Sequence, residues 1–484
     1  MKKYLLITAL GALALGSCSS DLDLENKELV SREQINALAE SSPEALLVVT
    51  EGINDGANAF LRSYSTYGAG AHSDFGLKAI HLGTDLMSND VVMTRSHWFS
   101  EYHNYLGREQ QNTRGTATVW NFYYTVIRDV NGIVELIPAD TENPELLASL
   151  GKALALRGLA YFDLIRLYAD GERGIPLYTE DTFIASRAAT SQVVTQIGED
   201  LERAYDALEG YNRVNKTQIN QDVVAGLLAR YYLEYGDYAQ AIAMSEQAQS
   251  AGSLMSEEQI FDGFDEISNP SWIWGADITP ETSSIYASFF SHMANLNAGY
   301  AGLLQVYKSV DKRLYDAIPA TDARKDWFVG ADQVEEFGLP QYANVKFVDD
   351  TFFEGDYVYM RVEEMLLIEA EARALSGDDE GAAQALFELV SKRDSSYTLS
   401  TKTGDALLEE IRLQRRIELW GEGFAFFDMK RWDMPLVRNY EGTNHAGWAG
   451  QHNFAAGSPK FILQIPISEI NNNDEIGPGD QNPL

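Results

Sequence analysis

Two stretches of the chain obey one rule, and that rule restricts the fold more than any other feature. In "GLLARYYLEYGDYAQAIAMSEQA" the small residue Ala229 is followed seven positions later by Gly236, then by Ala241 and Ala248. In "MLLIEAEARALSGDDEGAAQALFEL" Ala370, Gly377 and Ala382 repeat the arrangement. A small residue on one helix lets the next helix lie close. A glycine ends the first helix in the left-handed backbone conformation that other residues adopt only at a cost. Each stretch therefore predicts a helix hairpin similar to a tetratricopeptide repeat. The two stretches are 141 residues apart, so they are hairpins separated by insertions and not a regular array.

Apolar residues recur at steps of three and four over roughly 31–62, 116–138, 144–169, 191–210, 217–235, 238–251, 359–376, 379–393 and 404–430, which predicts helices there. Three segments break the rhythm: about 64–115, 253–357 and 433–484. They are rich in Gly, Pro, Asn, Ser and aromatics, with short β-like runs such as "SWIWGA". In that run Trp272 and Trp274 alternate around Ile273, so one of them is expected to face the core. The predicted fold class is mostly α: a tetratricopeptide-like helical scaffold with long irregular and short-strand insertions that form a ligand-binding face. Long irregular segments on a rigid scaffold are where binding sites concentrate.

The 484 residues carry a formal charge of −35 at pH 7. Such a balance repels phosphates, which excludes nucleic acid as partner, and it excludes a polybasic membrane-surface role. Most of it reads as a solvated acidic surface. Phe, Trp and Tyr make up 11% of the chain, enough to line a binding face as well as a core.

The lone cysteine, Cys18, leaves no intrachain disulfide. Before it stand "MKK" and the apolar run Tyr4–Gly16, too short to span a bilayer and proportioned like a signal-peptide core. "LGSC", Leu15 to Cys18, resembles the lipobox of bacterial lipoproteins. The expected organisation is a signal peptide over 1–17 and one domain over 18–484, with Cys18 lipidated. The acidic "SSDLDLENKE" that follows resembles a lipoprotein surface-export signal, which implies the extracellular face of the outer membrane, held by acyl chains. No later apolar stretch reaches 18 residues.

Catalytic signatures are missing. The sequence has no phosphate-binding loop, no H-E-x-x-H, no G-x-S-x-G and no dinucleotide glycine fingerprint. His97 and His103, in "SHWFSEYH", are six apart and would sit on different helix faces, so no metal pair is expected. "NNNDEIGPGD", Asn471 to Asp480, offers oxygen ligands without calcium-loop spacing and reads as a solvated terminal loop. No cofactor is implied and the chain reads as a non-enzyme. A surface glycosidase, needing only two well-placed carboxylates, is the remote alternative.

The stretch "RRIELWGEGFAFFDMKRW", Arg415 to Trp432, interleaves charged and aromatic residues. Ile417, Trp420, Phe424 and Phe427 would share one stripe of a continuous helix, which predicts a buried aromatic stripe with satisfied ion pairs. Trp120, Trp420 and Trp432 are expected in the core. The stretch also resembles the C-terminal signature of the SusD/RagB family of outer-membrane nutrient-binding lipoproteins. "VWNFYYTVIRDVNGIVELI", "ALRGLAYFDLIRLYADGERGIPLY", "YVYMRVEEMLLIEAEARA" and "FILQIPISEINNNDEIGPGDQNP" are similar to further family segments, in the family's order. One departure is "ILQIPISE", where the family often has Leu-Pro-Ile-Pro.

The resemblance implies a lid protein that binds glycan fragments, or peptides in RagB-like branches, and passes them to a SusC-like TonB-dependent transporter. It further implies that ligand-contacting aromatics come from "NDVVMTRSHWFSEYHNYLG" and "SSIYASFFSHMANLNAGY". Sugar C–H faces stack on aromatic rings, and polar side chains satisfy the hydroxyls. The expected ligand-binding aromatics are Trp98, Tyr102 and Tyr286, then Phe290 and Tyr300. The expected polar partners are Asn89, Asp90, Arg95 and Asn104. Trp448, in "NHAGWAGQH", is a further candidate.

Overall fold

The helices the small-residue rule predicts are present, and they stack in chain order. A computed structural model of the chain describes residues 37–39, 41–68, 70–182, 184–296, 299–447 and 450–484. The expected signal peptide, Cys18 and Trp448 lie outside the described residues. Residues Thr50–Leu484 form one compact unit and Met1–Val49 a separate one.

The long helices are α1 (Pro43–Phe60), α2 (Leu77–Asp85), α3 (Arg114–Leu136), α4 (Pro144–Tyr168), α5 (Thr190–Ala207), α6 (Gln221–Tyr235), α7 (Tyr238–Gln249), α8 (Val362–Leu375), α9 (Asp379–Val390), α10 (Gly404–Glu418) and α11 (Ala425–Arg431). From α3 to α9 each packs against the next, and α10 returns onto α8 and α9. Ala229, Ala241, Ala248, Ala370 and Ala382 are fully buried at these contacts. Gly236 and Gly377 end α6 and α8 at φ 86°, as the hairpin rule requires. Asn143, Asn220, Asp237 and Asp378 each accept a backbone N–H at the start of α4, α6, α7 and α9, which satisfies donors the helix leaves free. Leu366, Leu367, Leu386, Leu389, Leu407 and Ile411 knit α8, α9 and α10 into one apolar cluster.

Helices α7 and α8 pack together although more than a hundred residues separate them in the chain. The intervening insertion leaves through β4 (Trp272–Ala276) and returns through β6 (Tyr357–Arg361), which pair antiparallel and run directly into α8. Trp272 and Trp274 are both fully buried, which corrects the expectation that only one of them faces the core. All five residues of β4 are buried, so the strand is covered on both faces. A second pair, β1 (Val91–Met93) with β5 (Lys308–Val310), is also antiparallel, with Val91 opposite Val310 and Met93 opposite Lys308. It sews the 64–115 segment to the insertion. That segment is less irregular than its composition suggests. Every residue of α2 is buried, so it has no polar face and no amphipathic period to read.

The Arg415–Trp432 stretch holds these parts together. It is not one helix: α10 ends at Glu418 and α11 begins at Ala425. Gly421 and Gly423 between them have φ of 78° and 107°. A Cβ on Gly423 would stand 2.5 Å from His81 Cγ, and one on Gly421 would overlap Met293 and Phe347. The turn therefore needs glycine twice, and the single aromatic stripe is split by it. The ion pairs are satisfied as expected. Glu418 accepts from Arg361 at 2.9 Å, from Arg324 at 3.0 Å and from Arg393 at 3.2 Å, and all four side chains are buried. Glu422 takes Lys346 at 2.7 Å and Arg361 at 2.8 Å. Arg324 and Lys346 belong to the insertion, so this carboxylate pair fastens it to the scaffold. Trp120, Trp420 and Trp432 are buried, as predicted.

Candidate functional site

The β1–β5 ladder ends at Met93 and Lys308, and both chains run on past it side by side. The Thr94 N–H donates to the Tyr307 carbonyl at 3.1 Å. Residues 94–98 therefore lie next to the segment that holds the short helix Tyr300–Leu304. An open aromatic face forms where they meet. The Trp98 and His72 rings stack with centroids 5.1 Å apart and planes 4° apart. Tyr300 stands edge-on to His72 at 4.6 Å and to His97 at 5.1 Å, with its hydroxyl 2.9 Å from His97 Nδ1. Behind His72 the buried His292 closes the layer, its Nε2 3.1 Å from His72 Nδ1. Trp98, His72 and Tyr300 are half-buried and His97 is exposed.

Two guanidinium groups border this face. Arg114, at the start of α3, lies 4.6 Å above the Tyr67 ring and 5.4 Å from that of Trp98. Arg95 donates to Gln305 Oε1 at 2.9 Å. Leu303 and Leu304, on the helix that carries Tyr300, are exposed. Farther along, Gly299 lies against Phe353, whose ring is 5.3 Å from that of Tyr286 and 5.1 Å from that of Phe352. Tyr286 is 42% and Phe352 65% exposed, so a second exposed aromatic group lies next to the start of the helix that carries Tyr300. Phe99, Ile285, Gln305 and Phe353, all beside these groups, have positive φ. Strained backbone of this kind persists where the surrounding fold fixes it, and it concentrates at functional sites.

Burial and neighbouring charge lower the pKa of the His72 and His292 imidazoles. Burial lowers the pKa of His72, and His97 lowers it further. His292 is held well below the ordinary histidine value, first by burial and then by the Lys308 ammonium. Lys308 is itself lowered to about 7 by burial, and its Nζ donates to the His292 and Val306 carbonyls. Among the described residues no group of three or more His, Cys, Asp or Glu side chains could hold a metal ion. His103 is buried and stacked on His445, away from His97 on the open face. In the terminal loop the Asn473 amide goes to Tyr178, Ala185 and Glu469.

Of the residues predicted from sequence, Trp98, Tyr300 and Arg95 meet at the face, and Tyr286 lies in the second aromatic group. The others are placed differently. Tyr102 is 4% exposed, its ring wedged against Gly83 and Gly115. Phe290 is 2% exposed and packs on Phe289 and Gly355. Asn89 donates to the Pro435 carbonyl and accepts from the Val437 N–H. Asp90 pairs with Arg416 at 2.6 Å, and its carbonyl accepts from Trp420. Asn104 is half-buried at the end of the Ser100–His103 turn. Tyr102, Phe290, Asn89 and Asp90 thus belong to the buried framework, on the inward side of the two loops that carry the candidates. His72, Tyr67, Arg114 and Phe353 escaped sequence reasoning. They come from three separate segments, 67–72, the start of α3 and the turn at Phe353, with no shared spacing that marks them in the sequence.

Comparison with known proteins places this architecture. A family model described as "SusD family" matches residues 337–484, and one described as "Starch-binding associating with outer membrane" matches 66–233. The chain belongs to the SusD/RagB family. The fold matches a SusD-like carbohydrate-binding protein from Bacteroides vulgatus at a TM-score of 0.79 and 28% identity, over 90% of this chain and 98% of that one. A putative sugar-binding protein from the same species matches at 0.74 and 21% identity, over the same shares. SusD-like protein P38 of Formosa agariphila is 23% identical over 64% of this chain and 71% of its own length. Among the described residues no helix of this SusD/RagB protein is long and apolar enough to cross a membrane.

Proposed function

We propose that the chain is a cell-surface glycan-binding lipoprotein, anchored at the outer membrane through Cys18, that captures oligosaccharides and passes them to a SusC-like TonB-dependent transporter. The observation that carries the reading is the coplanar His72–Trp98 stack with Tyr300 at its edge. It offers a rigid, partly exposed apolar platform with polar groups on its rim, the surface a sugar ring requires. The contacts of His72 with His292 and Tyr300 hold the platform in place without a ligand. The family membership and the carbohydrate-binding relative from Bacteroides vulgatus support a carbohydrate ligand. Trp98, Tyr300, Arg95 and Tyr286 are the contact residues of this reading, joined by His72, His97, Tyr67 and Arg114. No step of chemistry is assigned to the chain.

Isothermal titration of the soluble form starting after Cys18 tests this, using plant, host and microbial glycans and a tryptic peptide mixture. Heat with a glycan class that disappears in Trp98→Ala supports the reading. Heat with peptides alone replaces it with the peptide-binding branch. Product released from a bound glycan on prolonged incubation would make the chain an enzyme.

A further inference from the structure

The chain carries 72 acidic against 37 basic residues, and many of its arginines are paired, while others such as Arg213 and Arg438 donate to backbone carbonyls. Arg157, Arg230, Arg324, Arg361, Arg393, Arg415, Arg416 and Arg431 all pair with carboxylates. The two that border the aromatic face differ. Arg95 and Arg114 are exposed, and their recorded partners are the Gln305 amide oxygen and the rings of Tyr67 and Trp98. Neither takes part in an ion pair among the described residues.

The carboxylates nearby are engaged. Asp74 accepts from the backbone N–H groups of Ser65, Thr66 and Tyr67. Burial raises the pKa of Glu101, while the Gly115 backbone and the Arg114 charge lower it, so Arg114 is shared with this carboxylate and Arg95 is the more open of the two. Behind the platform stands Lys308, bonded to carbonyls.

A guanidinium left without a carboxylate at the rim of a stacking platform is a ready receptor for an oxyanion, and arginine offers it a paired set of donors. Building on the glycan-binding reading, we propose that the ligand is an acidic oligosaccharide. A sugar ring lies on the Trp98–His72 stack, and its carboxylate or sulfate groups engage Arg95 and Arg114. At physiological salt, screening over about 8 Å weakens the long-range repulsion of the net negative charge, while close contacts at the rim persist.

The test uses matched ligands on the soluble chain: an oligouronate and its carboxyl-reduced form, and a sulfated oligosaccharide and its desulfated form. One acidic member should bind at least ten-fold tighter than its neutral partner, and the pair in which this happens tells carboxylate from sulfate. Arg95→Gln and Arg114→Gln should each weaken that ligand by about ten- to a hundred-fold, the effect of losing a charge-assisted hydrogen bond. Thermal melting of these two exposed-site variants should match the parent chain. Wild-type affinity should fall with added salt, and the double variant should lose that dependence. Equal affinity for the acidic and neutral partners, or binding of the neutral forms alone, overturns the acidic-ligand proposal and leaves the glycan reading standing. Binding of peptides with none of the glycans overturns both.

Discussion

The His72 and Trp98 rings lie 5.1 Å apart and within 4° of parallel, although 26 positions separate them in the chain. His72 is pinned from behind by His292 and from the side by Tyr300, so Trp98 rests on a fixed neighbour. A preorganised platform binds without first losing side-chain freedom. Trp98→Ala should cost glycan binding about 1.5–3 kcal/mol, the worth of one well-covered aromatic contact, or roughly ten- to a hundred-fold in Kd. The indole is half-buried at the surface, so the melting temperature should fall by a few degrees at most. Tyr102→Phe is the matching control. Its ring is buried in the framework, so it should leave affinity unchanged. Titration of both variants with the same glycan checks the contrast.

Glu418 sits at the centre of three arginines from three parts of the chain: Arg324 in the insertion, Arg361 at the end of β6 and Arg393 after α9. Removing its charge leaves three buried guanidinium groups under-compensated, so Glu418→Gln should destabilise by about 3–5 kcal/mol. The pH dependence follows from the same contacts. Burial would raise the pKa of Glu418, but the surrounding arginines hold it well below the ordinary carboxylate value. Arg361 and Lys346 likewise hold Glu422 at about 2. A depressed carboxylate contributes stability that is complete above its unfolded pKa and is lost as pH falls through its folded one. Unfolding midpoints should therefore drop between about pH 4.5 and pH 2. A flat profile over that range would contradict the assignment.

How much of this was legible in the sequence differs from element to element. The long helices were legible because their apolar spacing and small residues state both the period and the packing. Helix α2 was not, since burial on all sides removes the period. Trp272 and Trp274 were misjudged because burial of every position in a short strand is set by what packs on its two faces and not by its own spacing. Of the candidate site, Trp98, Tyr300, Tyr286 and Arg95 were found through aromatic-rich loops. Tyr102, Phe290, Asn89 and Asp90 lie in the same two loops, and composition cannot tell the outward from the inward side of an irregular turn. His72 and Arg114 carry no local signal, because their role comes from the β1–β5 pairing and the start of α3.

The turn between α10 and α11 makes a sharper demand than helix propensity alone. Gly421 and Gly423 both occupy the left-handed half of backbone space, where a Cβ costs about 1–2 kcal/mol per residue. Their Cβ positions are also filled, by Phe347 and Met293 in one case and by His81 in the other. Overpacking adds about 1–3 kcal/mol. Gly423→Ala should thus destabilise by about 2–5 kcal/mol, as should Gly421→Ala. An alanine at Gly404, also at positive φ but with open space around it, should lose only the backbone part. Denaturant titration of the three variants separates strain from crowding, and equal losses at all three positions would mean that crowding contributes nothing.

Lys308 supplies a pH response of the same sign as the carboxylates, in an alkaline window. Its ammonium is fully buried beneath the aromatic face, bonded to the His292 and Val306 carbonyls, and burial alone lowers its pKa to about 7. In the unfolded chain the same group titrates near 10.4. Between these values the unfolded state binds more protons, so stability must rise as pH increases from about 7 towards 10. The gain traceable to this side chain should be about 1 kcal/mol or more, since each pH unit between the two pKa values is worth up to about 1.4 kcal/mol. Lys308→Met keeps most of the volume and removes the proton, so it should flatten that rise while losing two hydrogen bonds at every pH. Chemical unfolding of both proteins at pH 7, 8, 9 and 10 reads the difference directly. A wild-type curve parallel to the variant's would mean that Lys308 keeps its proton throughout and that the carbonyl cage, not burial, governs its charge.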